Sequence, residues 1–463
     1  MKVVYLHPIN CIESVMLRRK IQSKVSDYLD NASDKILIIS GACQIGKSYV
    51  IRHEGKKRFR NFIEVDLLED KKSKKLFEGI RNTDDFYIRL SSIAGDRMKG
   101  KSDTLIFLDE IQAYPDMLHL LKLLKQEDRF TYIVSGSLLG ITLSDTFFRP
   151  GGRVEIINMY QLDFEEFLWA NGVGDEFIEH SRSCFERMES LDKPLHDRMM
   201  DLFKKYLLVG GLPDAVNRYL ATKNIVEVRA AQKEVYDTYR GDAGKYDKEH
   251  KLFIKRIYDL VPSNMENRKK RVRFNQIENK PQARGSQYQE EFDYLIKSGI
   301  CHEVRAVAEP RFPITDSESK SLLKLYLNDV GLLTSILYHY NVSAVMDDSR
   351  SVNLGSVYES VVCSELTSHG HSLYYFDDKD TGEIDFLVND YDSLTVMPIE
   401  IKSGKDYSTL SSLDYFLANP TFNSNRAVVL SNDRKVAFKD GVAYLPIYYT
   451  MFLSPSSLRK VIF

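Results

Sequence analysis

Two stretches of the chain carry residues whose types and spacing suit chemistry. The first is Gly41-Ala42-Cys43-Gln44-Ile45-Gly46-Lys47-Ser48. Its glycines let backbone N–H groups turn inward around phosphate oxygens, and a helix beginning at its end adds a positive pole. Lys47 is then the residue that reaches the phosphates, and Ser48 the one that ligates Mg²⁺. Further on, the apolar run Leu105-Ile-Phe-Leu ends on Asp109-Glu110. Carboxylates at the end of such a strand suit the same site, Asp109 holding the Mg²⁺ shell and Glu110 orienting or deprotonating an attacking water. Ser135 and Ser137, after Tyr132-Ile-Val, are placed to sense a terminal phosphate; a small-residue turn is the plain alternative. Arg153, behind Gly151 and Gly152, either supplies a positive charge to the transition state or is a surface arginine after a flexible loop. The ligands implied are ATP and Mg²⁺.

The second stretch is Glu383-Ile-Asp385-Phe followed by Ile399-Glu400-Ile-Lys402. Read as strands with period-two alternation, Ile399 and Ile401 face a core, while Glu400 and Lys402 share the other face and meet Asp385 on a neighbouring strand. Two carboxylates at that range suit Mg²⁺, and a nearby lysine positions or activates water.

The elements that must position these residues follow from apolar patterning. Ile21 to Leu29 has helical spacing, and buried strands are expected at Ile36 to Ile39, Phe62 to Asp66, Thr104 to Leu108 and Thr131 to Ser135, with helices between them. Such alternation predicts a parallel sheet covered on both faces. After Gly152 the pattern becomes helix upon helix, through Phe164 to Trp169 and Ser181 to Leu208, as far as about Lys245. Leu252 to Asn328 offers three short helices, a basic run from Arg268 to Arg273 and a hairpin around Glu303 to Leu325, an order like that of a winged helix. Beyond Asp347, a helix from Leu354 to His369 precedes strands at Leu373 to Phe376, Glu383 to Val388, Met397 to Lys402 and Ala427 to Leu430. The expected division is 1–152, 153–250, 251–346 and 347–463.

Bulk properties bound the reading. A chain of 463 residues exceeds one ordinary core, and with 43% hydrophobic and 28% charged residues it should fold throughout. A formal charge of -2 means that any nucleic-acid contact must come from a local patch such as the 268–273 run. The five cysteines Cys11, Cys43, Cys184, Cys301 and Cys363 lack paired spacing, which fits a reducing cytoplasm. Met1 to Asn10 does not read as a signal peptide, and the longest apolar run near the end, Val442 to Leu453, is too short to span a bilayer.

The segments Ile38 to Ser48, Phe107-Leu-Asp-Glu-Ile-Gln112, Ser135-Gly-Ser137 and Leu162-Asp-Phe-Glu-Glu-Phe167 together resemble a prokaryotic AAA-type P-loop ATPase family. The similarity extends to Tyr206-Leu-Leu-Val-Gly-Gly-Leu-Pro213 and Lys324-Leu-Tyr-Leu-Asn-Asp329, and so covers nearly the whole chain; Val330 stands where a proline is expected. The last region resembles the PD-(D/E)xK nucleases, Asp385 matching their aspartate, Glu400 and Lys402 their E-x-K, and Glu359 their helix carboxylate. What the resemblance implies is an α/β chain: a P-loop sheet with a helical subdomain, a winged helix, and a restriction-endonuclease-like domain. Its leading functional expectation is an ATPase whose nucleotide state controls a DNA-directed, metal-dependent C-terminal domain. The alternative is a nucleotide-dependent switch or assembly factor that docks a protein partner on an inactive nuclease-like fold. A ring would require a neighbour's arginine at each nucleotide, and a monomer would not.

Overall fold

The computed structural model describes residues 16–31, 33–68, 75–137, 139, 152–246, 251–267, 269–278, 284–314, 318–347, 354–379, 382–403 and 411–455. Met1 to Asn10, Cys11, Gly151 and Arg268 lie outside them. The N-terminal sheet is built from β1 (Ile36–Ser40), β2 (Asn61–Asp66), β3 (Thr104–Asp109), β4 (Thr131–Gly136) and β5 (Val154–Asn158), all parallel in the order β2-β3-β4-β1-β5. The four expected strands form almost to the residue, because strands covered on both faces must be apolar without interruption. Leu37 and Ile39 face one core and Ile36 and Ile38 the other, the two-residue alternation of a pleated strand. β5 was not anticipated: it is an edge strand with Glu155 and Ile156 exposed, so its apolar signal is weak, and it carries the sheet past the boundary placed at 152.

A helical block follows, with helices Phe164–Ala170, Asp175–Glu186, Lys193–Val209, Pro213–Thr222 and Ile225–Tyr246. Within the helical stretch read from Ser181 to Leu208, Asp192 caps a new helix by accepting the Leu195 N–H at 2.9 Å, with Pro194 in its first turn. Helices Lys251–Met265, Asn275–Glu278 and Gln289–Lys297 then lead into the hairpin of β6 (Cys301–Val307) and β7 (Glu318–Leu327). The hairpin does not stand alone as a wing. β6 pairs in parallel with β8 (Tyr374–Asp378), and β9 (Gly382–Asp390), β10 (Thr395–Lys402), β11 (Ala427–Ser431), β12 (Ala437–Lys439) and β13 (Val442–Pro446) complete one eight-stranded sheet, ordered β12-β13-β11-β10-β9-β8-β6-β7. The expected division at 346/347 therefore falls inside a sheet. Among the described residues, no helix is long and apolar enough to cross a membrane.

One apolar cluster runs from Leu37 and Ile39 through Phe164 and Tyr206 to Tyr358 and Phe452, so one face of the N-terminal sheet shares its core with the rest of the chain. A joint of buried polar groups pins this contact. Asp163 caps helix Phe164–Ala170 and sits 2.6 Å from Lys20, while Glu166 pairs with Arg19 at 3.0 Å. Glu365, on helix Gly355–Ser368, accepts the Phe164 N–H at 2.8 Å and the Tyr206 hydroxyl at 3.1 Å. Asp329 accepts the N–H groups of Gly211 at 2.6 Å and Leu332 at 3.1 Å, and Gly211 in turn accepts the Leu162 N–H at 2.8 Å. A Cβ on Gly211 would meet the Leu162 carbonyl at 1.9 Å, and Gly210 lies at φ 71°, so the Gly-Gly pair is required by close approach as well as by conformation.

Burial, with the Asp163 charge adding to it, pushes the Glu365 carboxyl from 4.5 up to about 7. The folded chain thus holds a proton that the unfolded chain releases, and the contribution of Glu365 to stability is present below pH 4.5 and lost as pH rises through about 7. Glu365→Gln keeps the acceptor oxygen and removes the titration. It should raise the melting temperature at pH 8 and leave it nearly unchanged near pH 4.5; a difference that does not vary with pH across a series of thermal melts would refute this.

Candidate functional site

β1 ends at Ser40 and helix Lys47–Arg58 begins six residues after Gly41, and the intervening loop takes conformations that only a few residue types reach easily. Gln44 lies at φ 62° and Gly46, the residue before the helix, at φ 96°. A Cβ on Gly41 would lie 2.2 Å from the Met159 carbonyl, so the return of the chain after β5 packs on the loop's first residue. Ala42 and Ile45 are buried, Cys43 is half-buried, and the positive end of the helix faces the loop's interior. Lys47 is 4% exposed; its ammonium donates to the carbonyls of Gly41 at 3.0 Å and Ala42 at 2.8 Å and lies 3.9 Å from Glu110.

The acidic end of β3 stands beside it. Asp109 accepts hydrogen bonds from the hydroxyls of Ser48 and Ser135 and lies 3.7 Å from Arg52. Burial pushes its carboxyl above the ordinary range, with the neighbouring Glu110 adding to the effect against those hydroxyls and Arg52. A cation beside it would favour the charged form. Glu110 turns at φ 55°, which takes its side chain out of the strand's alternation. Its carboxylate accepts from the Ser137 hydroxyl at 2.7 Å, from the Ser137 N–H at 3.2 Å and from the Gln112 amide, which also donates to Ser137 at 3.0 Å. Ser48 and Asp109 give a hydroxyl and a carboxylate, which fit a Mg²⁺ ion that takes its remaining ligands from phosphates and water.

Gly41 to Ser48, Asp109, Glu110, Ser135 and Ser137 thus gather at one end of the sheet. Arg153 does not join them. It precedes β5, its carbonyl bonded to the Ile36 N–H, whereas the loop follows the far end of β1, where Ser40 aligns with Asn158. The length of β5 separates the two, about 16 Å at 3.3 Å per residue, too far for this arginine to reach its own chain's phosphates. Three contributors escaped the sequence reading. Arg52 lies one helical turn after Ser48, a spacing that marks a shared face, and pairs with Glu64 at 2.5 Å. Gln112 orients Glu110. Arg19 is 6% exposed and donates to the Ile45 carbonyl of the loop at 3.0 Å, to the Tyr160 carbonyl at 2.6 Å and to Glu166, with nothing in the sequence near it to signal this role.

Later parts of the chain form the loop's back wall. The Tyr239 hydroxyl donates to the Cys43 carbonyl at 2.9 Å, and a Cβ on Gly299 would come within 3.4 Å of the Ala42 nitrogen. A cavity of about 590 Å³ opens beside this contact, lined by Gly41, Ala42, Tyr160, His302, Arg305 and Tyr374 among others.

The C-terminal residues are also brought together, but not as a metal centre. Asp385 accepts the Ile401 N–H at 2.8 Å, Lys402 donates to Glu400 at 2.8 Å, and Glu359 faces them from helix Gly355–Ser368. Glu359 is already bound to Lys270 and to the Tyr326 hydroxyl at 3.2 Å, with the fully buried Lys324 at 3.9 Å and itself paired with Glu383. Burial, together with Glu400 and Glu359, holds the Asp385 carboxyl well above the usual range. With ammonium groups among the carboxylates, the residues as they stand do not fit a divalent cation, and no group of acidic, histidine and cysteine side chains able to hold a metal occurs among the described residues. The basic run is partly turned inward: Arg271 pairs with Asp377 and Lys270 with Glu359, Lys269 lies 3.4 Å from Asp377 with its side chain largely exposed, and Arg273 is exposed as well.

Comparison with known proteins agrees with the N-terminal geometry. Residues 33–168 match an AAA domain, residues 200–341 a domain of unknown function (DUF8612), and residues 354–450 another (DUF4143). No curated protein matches. Among solved structures, a Walker-type ATPase of Pyrococcus abyssi aligns at 13% identity over 70% of this chain and 96% of its own, with a TM-score of 0.40. Cdc6p of Pyrobaculum aerophilum aligns at 13% identity over 73% of this chain and 97% of its own, with a TM-score of 0.29. The ADP complex of Hsp104 from S. cerevisiae aligns at 14% identity over 55% and 36%, with a TM-score of 0.30. The match over residues 33–168 supports an AAA-type P-loop ATPase domain in that part of the chain.

Glu110→Gln preserves the shape of the side chain and removes its carboxylate. It should leave Mg·ATP affinity within a few-fold and lower steady-state turnover by ~10²–10⁴; turnover within threefold of the parent in a phosphate-release assay would remove Glu110 from the reaction.

Proposed function

We propose that the chain binds and slowly hydrolyses Mg·ATP at residues 41–48, and that the state of the nucleotide is passed to the regions beyond residue 250, which act as a docking module for a protein partner. The single observation that carries this reading is the wall behind the phosphate loop, where Tyr239 and Gly299 touch Cys43 and Ala42. A loop that changes its hydrogen bonds on binding phosphate cannot do so without pressing on those residues.

The chemistry assigned to each residue follows from its position. The amides of residues 42–47 cradle phosphate oxygens, and Lys47 exchanges the carbonyls of Gly41 and Ala42 for the phosphates. Ser48 and Asp109 would hold Mg²⁺, which supplies neutralisation of the charge that develops as the terminal phosphate leaves. Glu110 takes the water's proton, its carboxylate kept in place by Ser137 and Gln112. A cavity of about 290 Å³ lined by Leu17, Arg19, Gln44, Tyr49, Pro213 and Asn217 suits the adenosine, since it offers apolar and polar side chains together. With Arg153 at the opposite end of the sheet, the chain's own loop lacks that cation for the transition state, which supports slow turnover unless a second chain provides one.

The docking reading is supported by the set of lysines among Glu359, Asp385 and Glu400. It is tested by calorimetry and hydrogen exchange on the full chain. Mg·ATP should give a saturable heat that Lys47→Ala abolishes, and should slow exchange of amides in 297–303 by several-fold in the parent alone. Binding without any change in 297–303 would remove the coupling, and absence of heat in the parent would remove the nucleotide site. Mg²⁺-dependent nicking of DNA by the parent, lost on Asp385→Asn, would reinstate the nuclease reading.

A further inference from the structure

The helical block holds a cavity of about 610 Å³ where the ends of helices Phe164–Ala170, Lys193–Val209 and Pro213–Thr222 meet the short helix Ser343–Met346. Its floor and walls are apolar: Leu202, Leu208 and Val209 are buried, and Ile225, Val342 and Met346 are partly buried against the same core. Lys204 keeps one wall in place, its ammonium donating to the Met346 carbonyl at 2.9 Å. The rim is basic. The Lys223 ammonium rests over the Tyr219 ring, 4.1 Å from its centroid, while Lys205, Asp201 and Arg198 act on the hydroxyl end of the same tyrosine. Asp201 answers part of the positive charge, 2.6 Å from Lys205 and 3.8 Å from Arg198, but among the described residues no carboxylate pairs with Lys223. Partial burial, with the Lys205 charge adding to it, lowers the Lys223 ammonium from its ordinary range. A negative charge between the two lysines would reverse that.

Three cations thus meet one carboxylate and the carbonyl ends of two helices, marked by Asn171 and Lys223 and carrying about half a negative charge each. One positive charge is left over beside an apolar hollow. We infer that the cavity binds a small amphipathic monoanion, a free monocarboxylate with an alkyl body, its carboxylate held between Lys205 and Lys223 and its chain laid on Leu202, Leu208 and Met346. The volume falls in the range of small-molecule sites, about 300–1,000 Å³, and the lining follows their pattern of an apolar majority with few polar groups. A peptide fits less well, because its backbone amides need partners that the apolar floor does not offer. The one amide side chain at the rim, Asn171, already donates to the Phe167 carbonyl at 2.9 Å. An alkyl chain needs no such partner. The inference does not rest on the nucleotide reading, since no residue of the phosphate loop or of its acidic neighbours takes part.

The test is titration calorimetry of the full chain, free of nucleotide, with sodium octanoate held below its critical micelle concentration. The parent should take up one octanoate per chain with a saturable heat. Butanoate, with less apolar surface to bury, should bind far more weakly. Octanol, with the same body and no charge, should bind about tenfold more weakly or worse. Lys223→Gln should weaken octanoate by about tenfold, the loss expected of a charge-assisted contact. Val342→Asp, which sets a carboxylate on the wall, should abolish binding. Lys223→Asn, a residue that accepts left-handed backbone such as the φ of 52° here, is measured beside Lys223→Gln, with far-UV circular dichroism and thermal melts reporting that each variant is folded. Three results would overturn the inference: no saturable octanoate heat in the parent, octanol binding as tightly as octanoate, or folded Lys223 variants that bind octanoate as the parent does. The comparison of carboxylate with alcohol on the parent stands even if the variants fail to fold.

Discussion

A buried carboxylate that accepts backbone amides from two separate elements leaves neither element free to move alone, and Asp329 is such a group. It caps helix Val330–Tyr338 through the Leu332 N–H and takes the Gly211 N–H from the turn ahead of helix Pro213–Thr222. Gly211 in turn accepts from Leu162, the residue before the Asp163 cap. Hydrogen bonds to an ionised acceptor are among the stronger ones in a fold, and an orphaned buried partner costs about 1–3 kcal/mol. The phosphate loop rests on this chain of contacts, because Arg19 joins Glu166 on one side to the Ile45 carbonyl on the other.

Much of the candidate phosphate-loop cluster was legible from sequence because its residues are local. Gly41 to Ser48 is one continuous turn, and Asp109-Glu110 ends an apolar run that can only be a covered strand. The roles of Arg19, Gln112 and Arg52 depend on which strand neighbours which, information that exists only once the order β2-β3-β4-β1-β5 is formed. Arg153 shows the same limit in reverse. Its place after two glycines suggested proximity to the loop, but β5 runs parallel to β1 and carries the chain from the opposite end of the sheet. Strand existence is written in composition, whereas strand direction and order are set by tertiary packing.

The charged residues divide along a similar line. The helix Gly355–Ser368 and the strands around Asp385 and Glu400 formed where expected, and the alternation of Ile399 and Ile401 against Glu400 and Lys402 holds. The partners of those carboxylates were not legible. Lys270 sits in a run of basic residues that reads as a DNA contact or a solvated patch, and Lys324 on a strand where its own side chain is fully buried. A run of like charge says nothing of whether an acidic face elsewhere will cover it, and here Asp377 and Glu359 do.

The pairing of β6 with β8 also bears on the order in which the molecule assembles. The N-terminal sheet closes once β5 has been made, and most of its contacts join strands with short or moderate connections. The larger sheet cannot: Arg305 and Tyr374 lie side by side in register although helices and an entire turn of chain intervene. During synthesis the β6–β7 hairpin must therefore wait, its β6 edge unsatisfied, until β8 emerges. Non-local parallel pairing of this sort is slow, and it places the point of greatest exposure to misassembly in the last third or so of the chain, well after the N-terminal sheet has taken shape.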